Sequence, residues 1–283
     1  MHGRVCLVTG ASAGIGLWTA LGLARLGADV CLVGRDAERT AAVTARVRAG
    51  AAGGEVTHQV ANFSSLEDVR ALAARIEARL PALHVLVNNA GLWHQKRQLS
   101  RDGHEDTMAV NHLAPFLLTN LLLPLLRRSA PARVVTVSSR LHRKPRRHDM
   151  DDLMSERGYR GLAAYARSKL ANVLFSNELA RRLHGSGVTS NSLHPGDVAT
   201  SIVRDSRVLS WGLRLVRPFI KSPEDGARTT LHVATASELE GVTGRYFADC
   251  RERTPGALAL DPQLACGLWQ VSEQLTGLGT GAT

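Results

Sequence analysis

Tyr165 and Lys169, in the stretch Tyr165-Ala-Arg-Ser-Lys169, are four residues apart, the spacing that sets two side chains on one face of a helix. A phenol ordinarily titrates near ~10 and is a poor acid–base catalyst at neutral pH. An ammonium one turn away favours the phenolate and draws that value toward the working range. Tyr165 could then give a proton to a carbonyl oxygen or take one from an alcohol. Such pairs also arise by chance on helical surfaces, so this one gains meaning only from its surroundings.

Two further residues could join that chemistry. Ser138-Ser139 ends the β-branched run Arg133–Val137, where a hydroxyl could donate to a substrate carbonyl oxygen. No GxSxG elbow surrounds it, which argues against a hydrolase nucleophile. Asn111 lies inside a long helical pattern, four residues before Pro115. Proline has no N–H, so the Asn111 carbonyl should lose its helical partner, the helix should kink, and the freed carbonyl could hold a water.

Other motifs suit a dinucleotide. Thr9-Gly-Ala-Ser-Ala-Gly-Ile-Gly16 follows the first apolar run and opens a helical pattern. Gly10 suits a tight turn, Gly14 lets backbone approach a pyrophosphate, and Gly16 permits close helix–strand packing. Ser12 and Ile15 complete that turn, and the helix N-terminus supplies N–H donors for phosphate. After the second strand Gly34 occupies the place where an NAD site would hold an acid, and Arg35 follows. A cation there, with Arg39 in support, suits the 2′-phosphate of NADP(H), NAD(H) being the alternative. Asp36 is expected to cap the next helix. Asn88-Asn89-Ala90-Gly91 could brace the sheet and let a cofactor lie close, and in His194-Pro195-Gly196-Asp-Val198-Ala-Thr200 the Pro-Gly turns the chain over the site.

Strands are predicted at Arg4–Val8, Asp29–Val33, Glu55–Val60, His84–Val87, Arg133–Val137, Val188–Leu193 and Arg245–Ala248. Helices are predicted at Ile15–Leu26, Ala37–Arg48, Leu66–Leu80, Glu105–Arg127, Ala164–His184 and Pro223–Ala236, with a frayed tail from Gly277. The alternation implies an α/β fold: a doubly wound parallel sheet of about seven strands with helices on both faces, ligands binding beyond the carboxyl ends of the strands. Residues 1–283 are read as one domain, with a substrate lid at about 197–222.

Composition narrows the partners. The net charge of +10 comes from 35 basic residues, of which 31 are Arg and mostly dispersed, a pattern that argues against nucleic acid. The run Arg140–His148 reads as a solvated loop, or more sharply as an entrance attracting an anionic substrate. No stretch reads as a membrane span or a signal peptide. Four scattered cysteines fit reduced thiols in the cytoplasm, and no histidine cluster suggests a metal.

Together, TGxxxGxG, NNAG, the helical Asn, the Ser after the fifth strand, YxxxK and PGxVxT resemble the short-chain dehydrogenase/reductase family over about residues 3 to 250. The resemblance implies a Rossmann-type oxidoreductase on a small-molecule carbonyl/alcohol pair. Tyr165 would be the acid–base, Lys169 would lower its pKa and hold the nicotinamide ribose, and Ser139 rather than Ser138 would polarise the carbonyl. Asn111 would hold a relay water, and Gly10–Gly16, Asn89–Gly91, Pro195, Gly196, Val198 and Thr200 would hold the cofactor. Asn62 stands where the family often has an Asp contacting adenine, a contact an amide can make. Tyr159 is no rival base, since position 163 is Ala. The 25 residues between Ser139 and Tyr165, with Val110–Asn120 and Ser168–Phe175, look like the retinol dehydrogenase and WW-domain oxidoreductase branch. That branch tends toward NADP(H) and bulky apolar substrates, and its membrane-anchored members carry an N-terminal apolar segment not seen here. Apolar residues between Val198 and Phe219 suit such a substrate, and the interleaved arginines allow peripheral membrane contact. Dimers through the two long helices are implied, which Arg-rich faces would oppose. A cofactor-binding regulatory protein with little turnover is the alternative class; the complete Ser–Tyr–Lys set argues against it.

Overall fold

The computed structural model describes residues 1–197 and 221–278. Short apolar and β-branched runs form β1 (Val5–Thr9), β2 (Asp29–Gly34), β3 (Val56–Val60), β4 (Val85–Asn88), β5 (Ala132–Val137), β6 (Val188–His194) and β7 (Tyr246–Ala248). These pair in parallel in the order β3-β2-β1-β4-β5-β6-β7. An eighth strand not foreseen, β8 (Arg251–Glu252), returns antiparallel to β7 through a turn at Asp249 and Cys250, both with positive φ. Two residues carry no periodicity, which is why the sequence hid it.

Between the strands run α1 (Gly14–Arg25), α2 (Ala37–Ala49), α3 (Leu66–Arg79), α4 (Asp106–Arg128), α5 (Gly161–Arg182), α6 (Pro223–Thr235) and α7 (Pro262–Thr276). The sheet separates two cores. Alternate residues of β1 point to opposite faces, so Leu7 packs with Leu72, Leu117 and Phe175 while Val8 packs with Leu23, Val87 and Val233. With both faces covered, β1 is buried along its whole length.

α4 explains what Pro115 does. At the expected break the helix contains a π turn, Ala109–Leu113, closed by a bond from the Ala114 N–H to the Ala109 carbonyl. The extra residue per turn absorbs the clash that proline imposes and swings Asn111 toward the sheet's carboxyl edge. α4 has the length and mean hydropathy (1.5) of a membrane span, yet 78% of that window is buried inside the protein, as a core helix should be.

α7 was not expected, although Asp261-Pro262 is a start signal and Gly277 a stop. Asp261 accepts from the N–H groups of Gln263 and Leu264, and Gly277 closes the helix at φ 60°. The N–H groups of Gly277 and Leu278 bond back to Gln274 and Glu273, so these two residues are not frayed. Trp269 packs between Phe116 of α4 and Phe175 of α5, with ring centroids 4.9 and 5.9 Å away, beneath the Arg182 guanidinium. The chain's own α7 therefore covers part of the two long helices through which dimers were implied.

Candidate active site

The first turn after β1 is built around missing side chains. Gly10 and Gly14 have φ of 64° and 55°, the left-handed region. A Cβ on Gly16 would lie 2.4 Å from the Gly10 carbonyl oxygen and 2.5 Å from Asn89 Nδ2. Asn89 fixes the turn from the neighbouring strand, donating from Nδ2 to the Thr9 carbonyl at 2.8 Å, while Thr9 Oγ1 accepts from the N–H groups of Asn89 and Ala90. The NNAG motif thus braces β1 to β4 at the point where strand order reverses.

The N-terminus of α1 carries no side-chain cap and no acid in its first turn. By contrast Asp36, Ser65, Ser222 and Asp261 cap α2, α3, α6 and α7. The uncapped amides and positive dipole end face a cleft of about 700 Å³ lined by Gly10, Ser12, Gly14, Ile15 and Gly16. Arg35 and Arg39 stand at its edge, with Arg39 Nε donating to the Ser12 carbonyl at 3.0 Å. Asn62, Asn89, Ala90, Gly91, Pro195 and Gly196 line the same cleft. Val198, Thr200 and the rest of the expected lid up to residue 220 lie outside the described residues.

Ser139, Tyr165 and Lys169 meet at the other end of this cleft. The Ser138 hydroxyl is buried and committed to the Lys169 main-chain carbonyl at 2.7 Å, whereas Ser139 Oγ accepts the Leu141 N–H at 3.3 Å and lines the cleft with Tyr165. Lys169 Nζ lies 5.6 Å from the centre of the Tyr165 ring and donates to the Val137 carbonyl. Asn111 is fully buried; its Oδ1 accepts from the Leu92 N–H at 2.7 Å, and Nδ2 donates to the Leu92 carbonyl and to Ser168 Oγ. Ser168 in turn donates to the Tyr165 carbonyl, which ties the π turn to the helical turn that carries Tyr165. Gly91 separates Asn111 from Lys169 closely enough that a Cβ there would sit 3.2 Å from Asn111 Oδ1 and 3.4 Å from Nζ.

The electrostatics differ from the sequence expectation. Burial pushes Tyr165 up to about 12, with the Ser139 hydrogen bond pulling the other way, so the phenol holds its proton at neutral pH. Burial brings Lys169 down to about 8. The lowering of the phenol expected from the lysine is not seen; burial sets the direction of both shifts, a quantity that spacing along a helix does not reveal. A neutral phenol beside a hydroxyl is a proton donor.

The short chain dehydrogenase family model matches residues 4–208. The chain belongs to the short-chain dehydrogenase family. It is 42% identical to retinol dehydrogenase 14 of Mus musculus over 98% of this chain and 87% of that one, and 44% identical to retinol dehydrogenase 11 of Homo sapiens over the same shares. The WW domain-containing oxidoreductase of Gallus gallus is 42% identical over 97% of this chain and 68% of its own. Among solved structures, the Pseudomonas aeruginosa RhlG/NADP active-site complex superposes with a TM-score of 0.71 at 30% identity, covering 92% of this chain and 98% of that one. As a short-chain dehydrogenase the protein is an oxidoreductase acting on alcohol/carbonyl pairs.

Several cleft residues escaped the motif reading. Leu92, Trp93 and His94 follow NNAG directly, and Leu141 and Leu162 complete an apolar wall near Tyr165. Their position just after a strand-end motif was the available signal. His94 Nε2 contacts Asp106 Oδ2 at 2.8 Å, and its main-chain carbonyl accepts from the Tyr159 hydroxyl, so Tyr159 holds the wall. His194, also at the cleft, is held down to about 4 by burial. The basic run is not simply solvated. Arg140 pairs with Asp197 at 3.0 Å, Arg147 pairs with Asp261, and Arg143 donates to the Thr254 carbonyl.

Proposed function

We propose that this short-chain dehydrogenase interconverts a bulky apolar aldehyde or ketone and its alcohol with NADP(H). The observation that carries the reading is the convergence of Ser139, Tyr165 and Lys169 at one end of the cleft whose other end is the uncapped α1 turn. When bound, NADP(H) supplies the hydride. Gly10, Ser12, Gly14, Ile15 and Gly16 would hold its phosphates and Arg35 its 2′-phosphate, with Asn62, Asn89, Ala90, Gly91, Pro195, Gly196, Val198 and Thr200 completing the cofactor contacts. In reduction, Tyr165 gives its proton to the forming alkoxide while the Ser139 hydroxyl donates to the same oxygen. The Lys169 ammonium stabilises the phenolate left behind. Asn111 holds the helical turn of Tyr165 and, in the family's manner, a relay water. Leu92, Trp93, Leu141 and Leu162 supply an apolar wall, and the names of the retinol dehydrogenase relatives fit such a substrate. A cytoplasmic location belongs to the same reading and is supported by the free Cys6, Cys31, Cys250 and Cys266.

The choice of NADP(H) has a steric support. A Cβ on Gly34 would lie 2.1 Å from Thr40 Oγ1, so an acid where an NAD site needs one would have to displace Thr40. Asp36, the next candidate, accepts the Arg39 N–H at 2.8 Å as the cap of α2. Arg35→Asp is expected to weaken NADPH by roughly 10- to 100-fold, the worth of about one charge-assisted contact, and to leave NADH nearly unchanged. Fluorescence titration of both cofactors checks this; equal weakening of the two would contradict it.

The pH dependence follows from Lys169. Its proton is lost near 8, so reduction should be level below that value and fall as pH rises through it, because the phenolate loses its counter-charge. Lys169→Arg keeps the charge and should remove that limb. A wild-type rate still level near ~10, where an ordinary lysine titrates, would contradict the role.

A further inference from the structure

Among the described residues of the basic insert, one is fully buried. His142 is 1% exposed and sits in the 3-10 turn Arg140–Arg143, which Ser139 caps. Its Nδ1 lies 2.7 Å from the Ser139 carbonyl oxygen, which also accepts the His142 main-chain N–H. Its Nε2 lies 2.8 Å from the main-chain nitrogen of Gly256. A carbonyl can only accept and an amide N–H can only donate, so a single tautomer satisfies both contacts: Nδ1 carries the proton and Nε2 is bare. The ring packs on Tyr246 of β7 with centroids 4.8 Å apart, and a Cβ on Gly256 would press on Arg143 Cα at 3.3 Å. Arg143 and Arg147 hold the same 254–261 segment at Thr254 and Asp261.

We propose that His142 is a positioning residue for Ser139. Its Nδ1–H, with the His142 amide, fixes the Ser139 main chain so that the hydroxyl faces Tyr165, and its Nε2 anchors that turn to the chain after β8. Two donors on one carbonyl hold the peptide plane, and with it the direction of the Ser139 side chain. Burial disfavours the imidazolium, in keeping with the neutral ring the contacts demand. The proposal rests on the reading of Ser139 given above.

Two substitutions separate the two tethers. In His142→Asn the amide nitrogen falls near the position of Nδ1 and can still donate to Ser139. In His142→Gln the amide oxygen falls near Nε2 and can still accept from Gly256. We expect His142→Gln to lower kcat by on the order of 10- to 100-fold with cofactor KM unchanged, as a displaced polarising group should. His142→Asn should retain kcat within about threefold despite a lower melting temperature. In a Ser139→Ala background His142→Gln should cost no further kcat. Equal losses in Asn and Gln that track stability, or a full additional loss in Ser139→Ala, would overturn the proposal while leaving Ser139's role intact. Ser139→Ala at wild-type kcat would overturn both. A measurement free of folding effects is the 15N spectrum of the wild-type His142 ring, expected to show Nδ1 protonated and Nε2 bare; the opposite tautomer would refute the tether.

Discussion

Tyr165→Phe is expected to lower kcat for carbonyl reduction by about a thousandfold, within the ~10²–10⁴ that a positioned general acid contributes. The substitution removes one oxygen and leaves the ring, so packing around α5 should persist. The lost group is the neutral phenol that burial holds in its protonated form and that Ser139 faces. Cofactor affinity should stay within about threefold, since the phosphate turn at Gly10–Gly16 is untouched. Steady-state kinetics with NADPH and an apolar aldehyde, paired with NADPH titration, separates these effects. A kcat within a few-fold of wild type would mean that the proton comes from elsewhere.

Asn111→Leu should be nearly as damaging, by a different route. The residue is fully buried and makes three hydrogen bonds, two with the Leu92 main chain and one with Ser168. Leucine matches its size and leaves the Leu92 N–H, the Leu92 carbonyl and Ser168 Oγ without that partner, at about 1–3 kcal/mol for each group so stranded. Leu92 follows Gly91 at the cleft wall, and Ser168 holds the Tyr165 carbonyl, so the damage reaches the cofactor side and the proton donor together. We expect a melting temperature lower by roughly 10 °C and a kcat/KM lower by at least about 100-fold. Asn111→Asp keeps an acceptor for the Leu92 N–H and loses both donated bonds, so it should fall between Leu and wild type. Differential scanning calorimetry and kinetics on the two variants check the order; a Leu variant that melts with wild type would show that the π turn holds itself.

Much of the fold was legible because its signals are local. The β-branched runs gave all seven parallel strands, and Asp36 capped α2 as its position suggested. Gly10, Gly14, Gly34 and Gly91 each mark a place where a side chain would strain the backbone or strike a neighbour, a constraint visible as residue type. The gathering of Ser139, Tyr165 and Lys169 in one cleft was also readable, since each follows from a strand end or a helical repeat. What stayed hidden depends on partners distant in sequence. His142 looked like one more basic residue in a solvated run until Gly256, more than a hundred positions later, met its ring. The π turn rests on the Asn111 contacts with Leu92 and Ser168, residues distant in sequence. α7 needed Phe116 and Phe175 to give Trp269 a place. The reversed shift of Tyr165 needed burial, which a four-residue spacing cannot report.

Hydride exchange between NADP(H) and an apolar carbonyl is proposed for the cleft of Ser139 and Tyr165. It is tested most directly with NADPH deuterated at the transferable position of its nicotinamide, incubated with wild-type enzyme and a long apolar aldehyde of the retinal kind. The expected product is an alcohol with deuterium on its carbinol carbon, formed about a thousandfold more slowly by Tyr165→Phe. Tight NADPH binding with no deuterium in any product, across a panel of apolar aldehydes and ketones, would contradict it.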